Sequence, residues 1–86
     1  MSHALLEATL LDLRGMLNPE PVLSLAEAAG RLQPGGRLEV LSDDPCAVGD
    51  FVRWSASTDV ALESIDYERE GVTRFVFVRR NHQRVA

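Results

Sequence analysis

Residues 8–22 read ATLLDLRGMLNPEPV, and they contain an apolar run, a glycine and a proline-rich helix start. The run from Ala8 to Arg14 predicts a short buried strand that ends in a turn at Gly15. Asn18 followed by Pro19 is typical of a helix start, because asparagine can accept a hydrogen bond from a first-turn amide and proline has no amide hydrogen to satisfy. The stretch therefore predicts a strand that leads into a helix.

The next part of the chain repeats this alternation. A first helix is predicted over Pro19–Gln33, because apolar residues recur there at helical spacing and the prolines and glycines of 34–36 stop it. Arg37–Ser42 alternates apolar and polar residues and predicts a second strand. Asp44 and Pro45 then repeat the helix-start pattern, so a second helix follows.

The apolar face of this second helix is predicted to contain Val48, Phe51, Val52 and Ser55, with Trp54 in the core at its margin. The last third predicts a hairpin, with strands at Val60–Tyr67 and Val72–Arg80 and a polar turn at 68–71.

The element order is therefore β-α-β-α-β-β, which predicts an α+β two-layer sandwich. The first strand-helix-strand unit predicts a right-handed parallel crossover. Parallel strands deliver the chain to two helix starts at the same edge of the sheet, so we expect Asn18 and Cys46 at that edge. The length of 86 residues predicts a single domain over 1–86, with a core at about 8–80 and short tails.

Composition excludes several function classes. With 45% hydrophobic and 26% charged residues the chain is predicted to fold, and its net charge of −4 disfavours direct nucleic-acid binding. Arg79, Arg80 and Arg84 gather near the C-terminus, where we interpret them as a solvated tail rather than a binding patch. A single cysteine fits a reducing compartment, and no signal peptide or spanning segment is recognisable, so a cytoplasmic protein is expected.

The stretch 11–22 resembles the N-terminal signature of the bacterial TusA/SirA-like sulfur-relay family. That signature has leucine-aspartate, then glycine, then cysteine-proline-x-proline at the start of the first helix. Gln33-Pro34-Gly35 and Asp43-Asp44-Pro45 also match the family in place and spacing, and the resemblance covers Leu11 to Arg80. It implies a mixed four-stranded sheet with both helices on one face.

The resemblance also implies an activity. Family members carry sulfur as a persulfide on the motif cysteine, and pass it from a cysteine desulfurase or rhodanese to downstream acceptors. In this chain the motif cysteine is replaced by Asn18, whose amide cannot hold a persulfide, although Pro19, Glu20 and Pro21 match the motif. Ser57-Thr58-Asp59 also stands where the family has a glycine before the third strand.

Two residues each allow two interpretations. Asn18 is either the remnant of a carrier site or simply a helix cap, and the cap alone explains the residue. Cys46 is predicted at the second position of a helix, where the dipole favours a thiolate, so it could be a relocated sulfur site. Asp43 and Asp44 oppose thiolate formation, and a lone cysteine is more often a half-buried apolar residue.

No metal or cofactor is predicted, because His3 and His82 have no ligand spacing to Cys46 and an aspartate pair in a turn is ordinary. The leading hypothesis is a binding or regulatory member of a sulfur-trafficking system that contacts a partner protein through Asn18–Pro21 and Asp43–Cys46. The alternative is an active sulfurtransferase that uses Cys46 as its persulfide site. An asparagine introduced to disable a natural cysteine would give the same sequence.

Overall fold

The computed structural model describes residues 8–81, and His3, His82 and Arg84 lie outside them. The strands are Ala8–Asp12 (β1), Arg37–Ser42 (β2), Val60–Arg69 (β3) and Val72–Arg79 (β4), and the helices are Glu20–Ala29 (α1) and Ala47–Ala56 (α2). The predicted α+β class and the order β-α-β-α-β-β are confirmed.

The four strands form one mixed sheet in the order β1-β2-β4-β3. β1 and β2 are parallel, with Leu11 opposite Val40, whereas β4 is antiparallel to both β2 and β3. The parallel pairing of β1 and β2 agrees with the prediction that these strands are parallel. Because both strands run in the same direction, the loops that follow Asp12 and Ser42 leave the sheet at one edge.

The core lies between the two helices and one face of the sheet. Leu38 and Val40 of β2 are fully buried opposite Phe77 and Phe75 of β4. The Phe51 ring of α2 meets the Phe75 ring edge-on, with centroids 4.8 Å apart. This geometry is favourable for aromatic pairs because the positive edge of one ring faces the negative face of the other. Trp54 packs edge-on against Phe77, with centroids 5.7 Å apart, which confirms its predicted core position.

The other face of the sheet is solvated, and charged side chains interrupt its apolar ones. Arg74 pairs with Glu39 across β4 and β2 at 2.9 Å, and Arg37 pairs with Glu63. Leu10, on the edge strand β1, is 60% exposed. These ion pairs place charge among the apolar side chains of this face.

Several predicted boundaries are wrong. α1 ends at Ala29 instead of Gln33, because the amides of Arg31 and Leu32 bond three residues back and tighten the last turn. β1 ends at Asp12 instead of Arg14, because the Asp12 carboxylate accepts the Arg14 amide and turns the chain.

Two further differences lie in the C-terminal half. β3 continues to Arg69, so the hairpin turn contains Glu70 and Gly71 in place of the predicted four residues. Gly71 has a φ of +76°, which glycine adopts without steric cost. Arg79 is not part of a solvated tail, because its guanidinium donates to the Leu32 carbonyl at 3.1 Å.

The buried face of α2 differs from the predicted one at Val52, which is exposed, and at Ala47, which is buried. Val52 is 45% exposed, whereas Phe51 and Ser55 are buried. The Ser55 hydroxyl donates to the Val60 carbonyl at 2.7 Å and accepts from the Leu62 amide at 3.1 Å. This serine therefore joins the end of α2 to the start of β3.

Replacing Ser55→Ala is expected to lower the free energy of unfolding by about 1–3 kcal/mol, because the Leu62 amide loses its acceptor within the fold. Urea denaturation measures the loss. Ser57→Ala is the matched control, since the Ser57 hydroxyl donates only to the carbonyl of Trp54 from an exposed position. Equal losses in the two variants would contradict the role assigned to Ser55.

Candidate functional site

Two loops meet at the edge of the sheet where β1 and β2 end. The Leu13 amide donates to the Leu41 carbonyl at 2.8 Å, which extends the parallel pairing by one bond. The Gly15 amide then donates to the Asp43 carboxylate at 2.9 Å, although the two residues are 28 positions apart. We call this surface, formed by residues 13–20 and 42–46, the motif edge. Asp43, predicted as a partner-contact residue, also joins its two loops.

The first loop is held by an ion pair beside β1. The Asp12 carboxylate accepts hydrogen bonds from the Arg14 backbone amide at 3.1 Å and from its guanidinium at 2.9 and 2.7 Å. The guanidinium bonds are the main cause of the lowered pKa of Asp12, which falls to about 2. The carboxylate is therefore ionised at neutral pH. Gly15 follows with a φ of +88°, a conformation that side-chain-bearing residues rarely adopt.

Asn18 is exposed and does not cap α1, so the predicted cap is wrong. Pro19 occupies the cap position, and the helix begins at Glu20. The Glu20 amide bonds to the Leu17 carbonyl at 3.1 Å, and Pro21 has no amide hydrogen. At the start of the helix, backbone carbonyls thus accept hydrogen bonds, and the prolines have no amide hydrogen that needs an acceptor. The Asn18 side chain makes no hydrogen bond within residues 8–81.

Two large apolar side chains are exposed beside Asn18. Leu17 is 72% exposed and Leu23, in the first turn of α1, is 62% exposed, whereas Pro21 between them is buried. Sequence reasoning missed both leucines. Leu23 could have been found, because it lies outside the helical spacing of Val22, Leu25 and Ala29, but the exposure of Leu17 depends on the path of the loop.

The second loop leads into α2 through Asp44. The Asp44 carboxylate accepts the Cys46 amide at 2.9 Å, and its carbonyl accepts the Ala47 amide at 3.0 Å. The Asp44 amide donates in turn to the buried hydroxyl of Ser42 at 3.1 Å. Asp44 and Pro45 therefore precede a helix as predicted.

Cys46 occupies the cap position of α2 and not the predicted second helical position. It is exposed, so the interpretation as a half-buried apolar residue is wrong. Its thiol is accessible at a helix start, where the helix dipole favours negative charge.

The structure assigns no metal-binding role to these residues. Across residues 8–81, no three His, Cys, Asp or Glu side chains come together in a way that could hold a metal ion. Neither helix of this part of the chain is long and apolar enough to cross a membrane, since each contains ten residues.

Comparison with known proteins identifies the family. The family model for the sulfurtransferase TusA matches residues 9–79. The sulfur carrier protein TusA of Pseudomonas fluorescens (strain SBW25) is 32% identical over 71 residues, which cover 83% of each chain. That of Pseudomonas aeruginosa (strain LESB58) is 29% identical over 80 residues, which cover 93% of this chain and 96% of the relative.

The fold has a match among solved structures as well. The crystal structure of the SirA-like protein from Desulfitobacterium hafniense superposes with a TM-score of 0.72 at 21% identity, covering 87% of this chain and all of that one. The sequence matches extend over both loops of the motif edge and over every strand and helix. This chain therefore belongs to the TusA sulfurtransferase family.

Proposed function

We propose that this chain is a cytoplasmic binding or regulatory member of a sulfur-trafficking system, and that residue 18 carries no sulfur. The observation that supports this proposal is a complete motif edge without a thiol at the motif position. A persulfide requires a cysteine sulfur, which Asn18 does not have. The loops that would present that sulfur are nevertheless joined through Gly15 and Asp43.

The exposed side chains of the motif edge, together with Leu23 in the first turn of α1, fit protein docking. Leu17 and Leu23 lose water-accessible apolar surface when a partner covers them, and exposed Glu20 lies between them in sequence. The proposed partner is a protein of the sulfur relay, namely a cysteine desulfurase, a rhodanese or a downstream acceptor. Such a partner would bind the surface of the motif edge without transferring sulfur to residue 18.

Leu17→Gln and Leu23→Gln are each expected to weaken partner binding about tenfold, because each removes a leucine side chain from the interface. Biolayer interferometry against the cysteine desulfurase and the rhodanese of the source organism measures the affinity. Leu10→Gln is the matched control, since Leu10 is 60% exposed on the opposite face of the sheet. Equal affinities of all three variants, or a Glu20→Lys variant that binds as well as the unchanged chain, would contradict the proposal.

Asp43→Ala is expected to weaken partner binding because it frees the first loop from the second. The same change should speed hydrogen exchange at the Gly15 amide about five- to tenfold, since its acceptor is lost. Asp43→Asn keeps an oxygen acceptor and should restore both properties. Slow exchange at Gly15 in the alanine variant would show that the bond does not hold the loop.

A second candidate is an active sulfur carrier that uses Cys46. The observation that favours it is the exposure of this thiol at the start of α2, on the motif edge. In such a reaction the Cys46 thiolate attacks the outer sulfur of a donor persulfide, the S–S bond of the donor breaks, and the donor leaves as a thiolate.

Intact-mass spectrometry after incubation with a cysteine desulfurase and cysteine distinguishes the two candidates. The leading proposal expects no gain for the unchanged chain, and a reductant-reversible gain of roughly 32 Da in the double variant Asn18→Cys, Cys46→Ser. The double variant shows that the donor is active and that the edge can receive sulfur. A gain in the unchanged chain that disappears in Cys46→Ser would overturn the leading proposal in favour of the second.

A further inference from the structure

The two outer strands of the sheet differ in how their free edges are protected. The order β1-β2-β4-β3 leaves one side of β1 and one side of β3 without a neighbouring strand among residues 8–81. Such an edge presents unpaired backbone amides and carbonyls, which can pair with a strand of another chain. Proteins commonly block this pairing with bulges and charged side chains. Only one of the two edges has these protections.

The protected edge is that of β3. The register of β3 against β4 shifts twice along the hairpin, and each shift leaves one residue of β3 without a partner in β4. These residues are Glu63 and Glu68, and both are exposed. A further strand along this edge would therefore meet an irregular backbone and two carboxylates.

The edge of β1 has neither protection. Ala8–Asp12 pairs with β2 over five consecutive residues without a register shift. The strand contains no proline, lysine or arginine, and its one charged residue, Asp12, is paired with Arg14. Thr9 is exposed, and Leu10 is 60% exposed. Leu10 belongs to neither the core nor the motif edge, so its exposure has no explanation in the isolated chain.

The backbone groups of Leu10 point away from the sheet. The Leu13 amide donates to the Leu41 carbonyl of β2, in the register that pairs β1 with β2. Because hydrogen-bonding groups alternate between the two sides of a strand, the Leu11 amide also faces β2, whereas the amides of Leu10 and Asp12 face outward. β1 therefore offers a row of donors and acceptors that an extended strand can satisfy.

We propose that the outer edge of β1 pairs with the same edge of a second copy of this chain, in antiparallel orientation about a two-fold axis at Leu10. A two-fold interface uses the same surface on both copies, so no other surface is needed. In this register Thr9 lies opposite Leu11 of the second copy. Asp12 lies opposite Ala8 of the second copy, so no two carboxylates face each other. The two four-stranded sheets then form one continuous sheet.

This pairing leaves the motif edge of each copy free. Antiparallel strands end in opposite directions, and each motif edge follows the end of its own β1. The dimer would thus present two motif edges at opposite ends and bind two partner proteins. A substitution at Leu10 is therefore expected to change dimerisation and to leave binding at a single motif edge unchanged.

Sedimentation velocity of the full chain measures the association. The interface is small because each β1 contributes five residues, and small interfaces are weak. We therefore expect mostly monomer at about 50 µM and a clear shift toward the mass of two chains at about 1 mM. A chain that sediments as a monomer at the higher concentration would overturn the proposal.

Leu10→Lys is expected to weaken dimerisation about tenfold, because the two-fold axis brings the two ammonium groups side by side and an apolar contact is lost. Val52→Lys is the matched control, since Val52 is 45% exposed on α2 and the substitution changes the net charge equally. Equal dimerisation constants of the two variants would contradict pairing at β1.

Amide hydrogen exchange, followed by NMR at the same two concentrations, locates the interface. Exchange at the outward-facing Leu10 amide should be about two- to fivefold slower at the higher concentration, because fewer chains then have a free edge. The Leu11 amide, which faces β2, should exchange at the same rate in both samples. A dimer formed through the solvated face of the sheet would also respond to Leu10→Lys, but it would leave the Leu10 amide open. Equal exchange of that amide at both concentrations would therefore reject the β1 edge.

Discussion

The parallel pairing of β1 with β2 is the constraint from which the motif edge arises. Hydrogen bonds between these strands fix Leu11 opposite Val40, and the next bond joins Leu13 to Leu41. Since the two strands end level with each other, their loops must turn toward α1 and α2 at neighbouring positions. The bond from Gly15 to Asp43 then joins the loops directly. Without this register, residues so far apart in the chain would not share one surface.

The aromatic core supports this arrangement from the centre of the sheet. Phe75 and Phe77 lie on β4, between β2 and β3, and Phe51 and Trp54 of α2 meet them edge-on. Burial of these large rings supplies much of the stabilising free energy available to a chain of 86 residues. α2 is thereby held against the sheet along its length, and this fixes the position of its exposed start at Cys46. The packed aromatic core at the centre of the sheet thus fixes the geometry of the motif edge.

Much of the fold could be predicted from the sequence, because the periodicity of apolar residues reports which side of an element is buried. Arg37–Ser42 is an example, since its alternating pattern gave both the strand and its buried residues. The ends of elements were less predictable: α1 closes early through bonds to carbonyls three residues back, a choice that depends on the loop beyond it. Asn18 shows the same limit. Its side chain could have capped α1, but backbone carbonyls and prolines complete the helix start instead.

The candidate site was predictable to a similar degree. Motif residues and their shared edge followed from the strand order, whereas the exposure of Leu17 and the position of β1 at an outer edge of the sheet depend on tertiary packing. No local pattern reports which neighbours a strand acquires from later parts of the chain. These features become visible only when the elements are assembled.

Among the residues that the structure describes, none forms a hydrogen bond with the Asn18 side chain, and this has a consequence for the residues that position 18 can accept. A residue that caps a helix is retained because its loss lowers the stability of the protein. At position 18 the fold makes no such demand, since neighbouring backbone groups already satisfy the helix start. A substitution at position 18 is therefore expected to change the free energy of unfolding little, so the fold leaves the choice of side chain there to function.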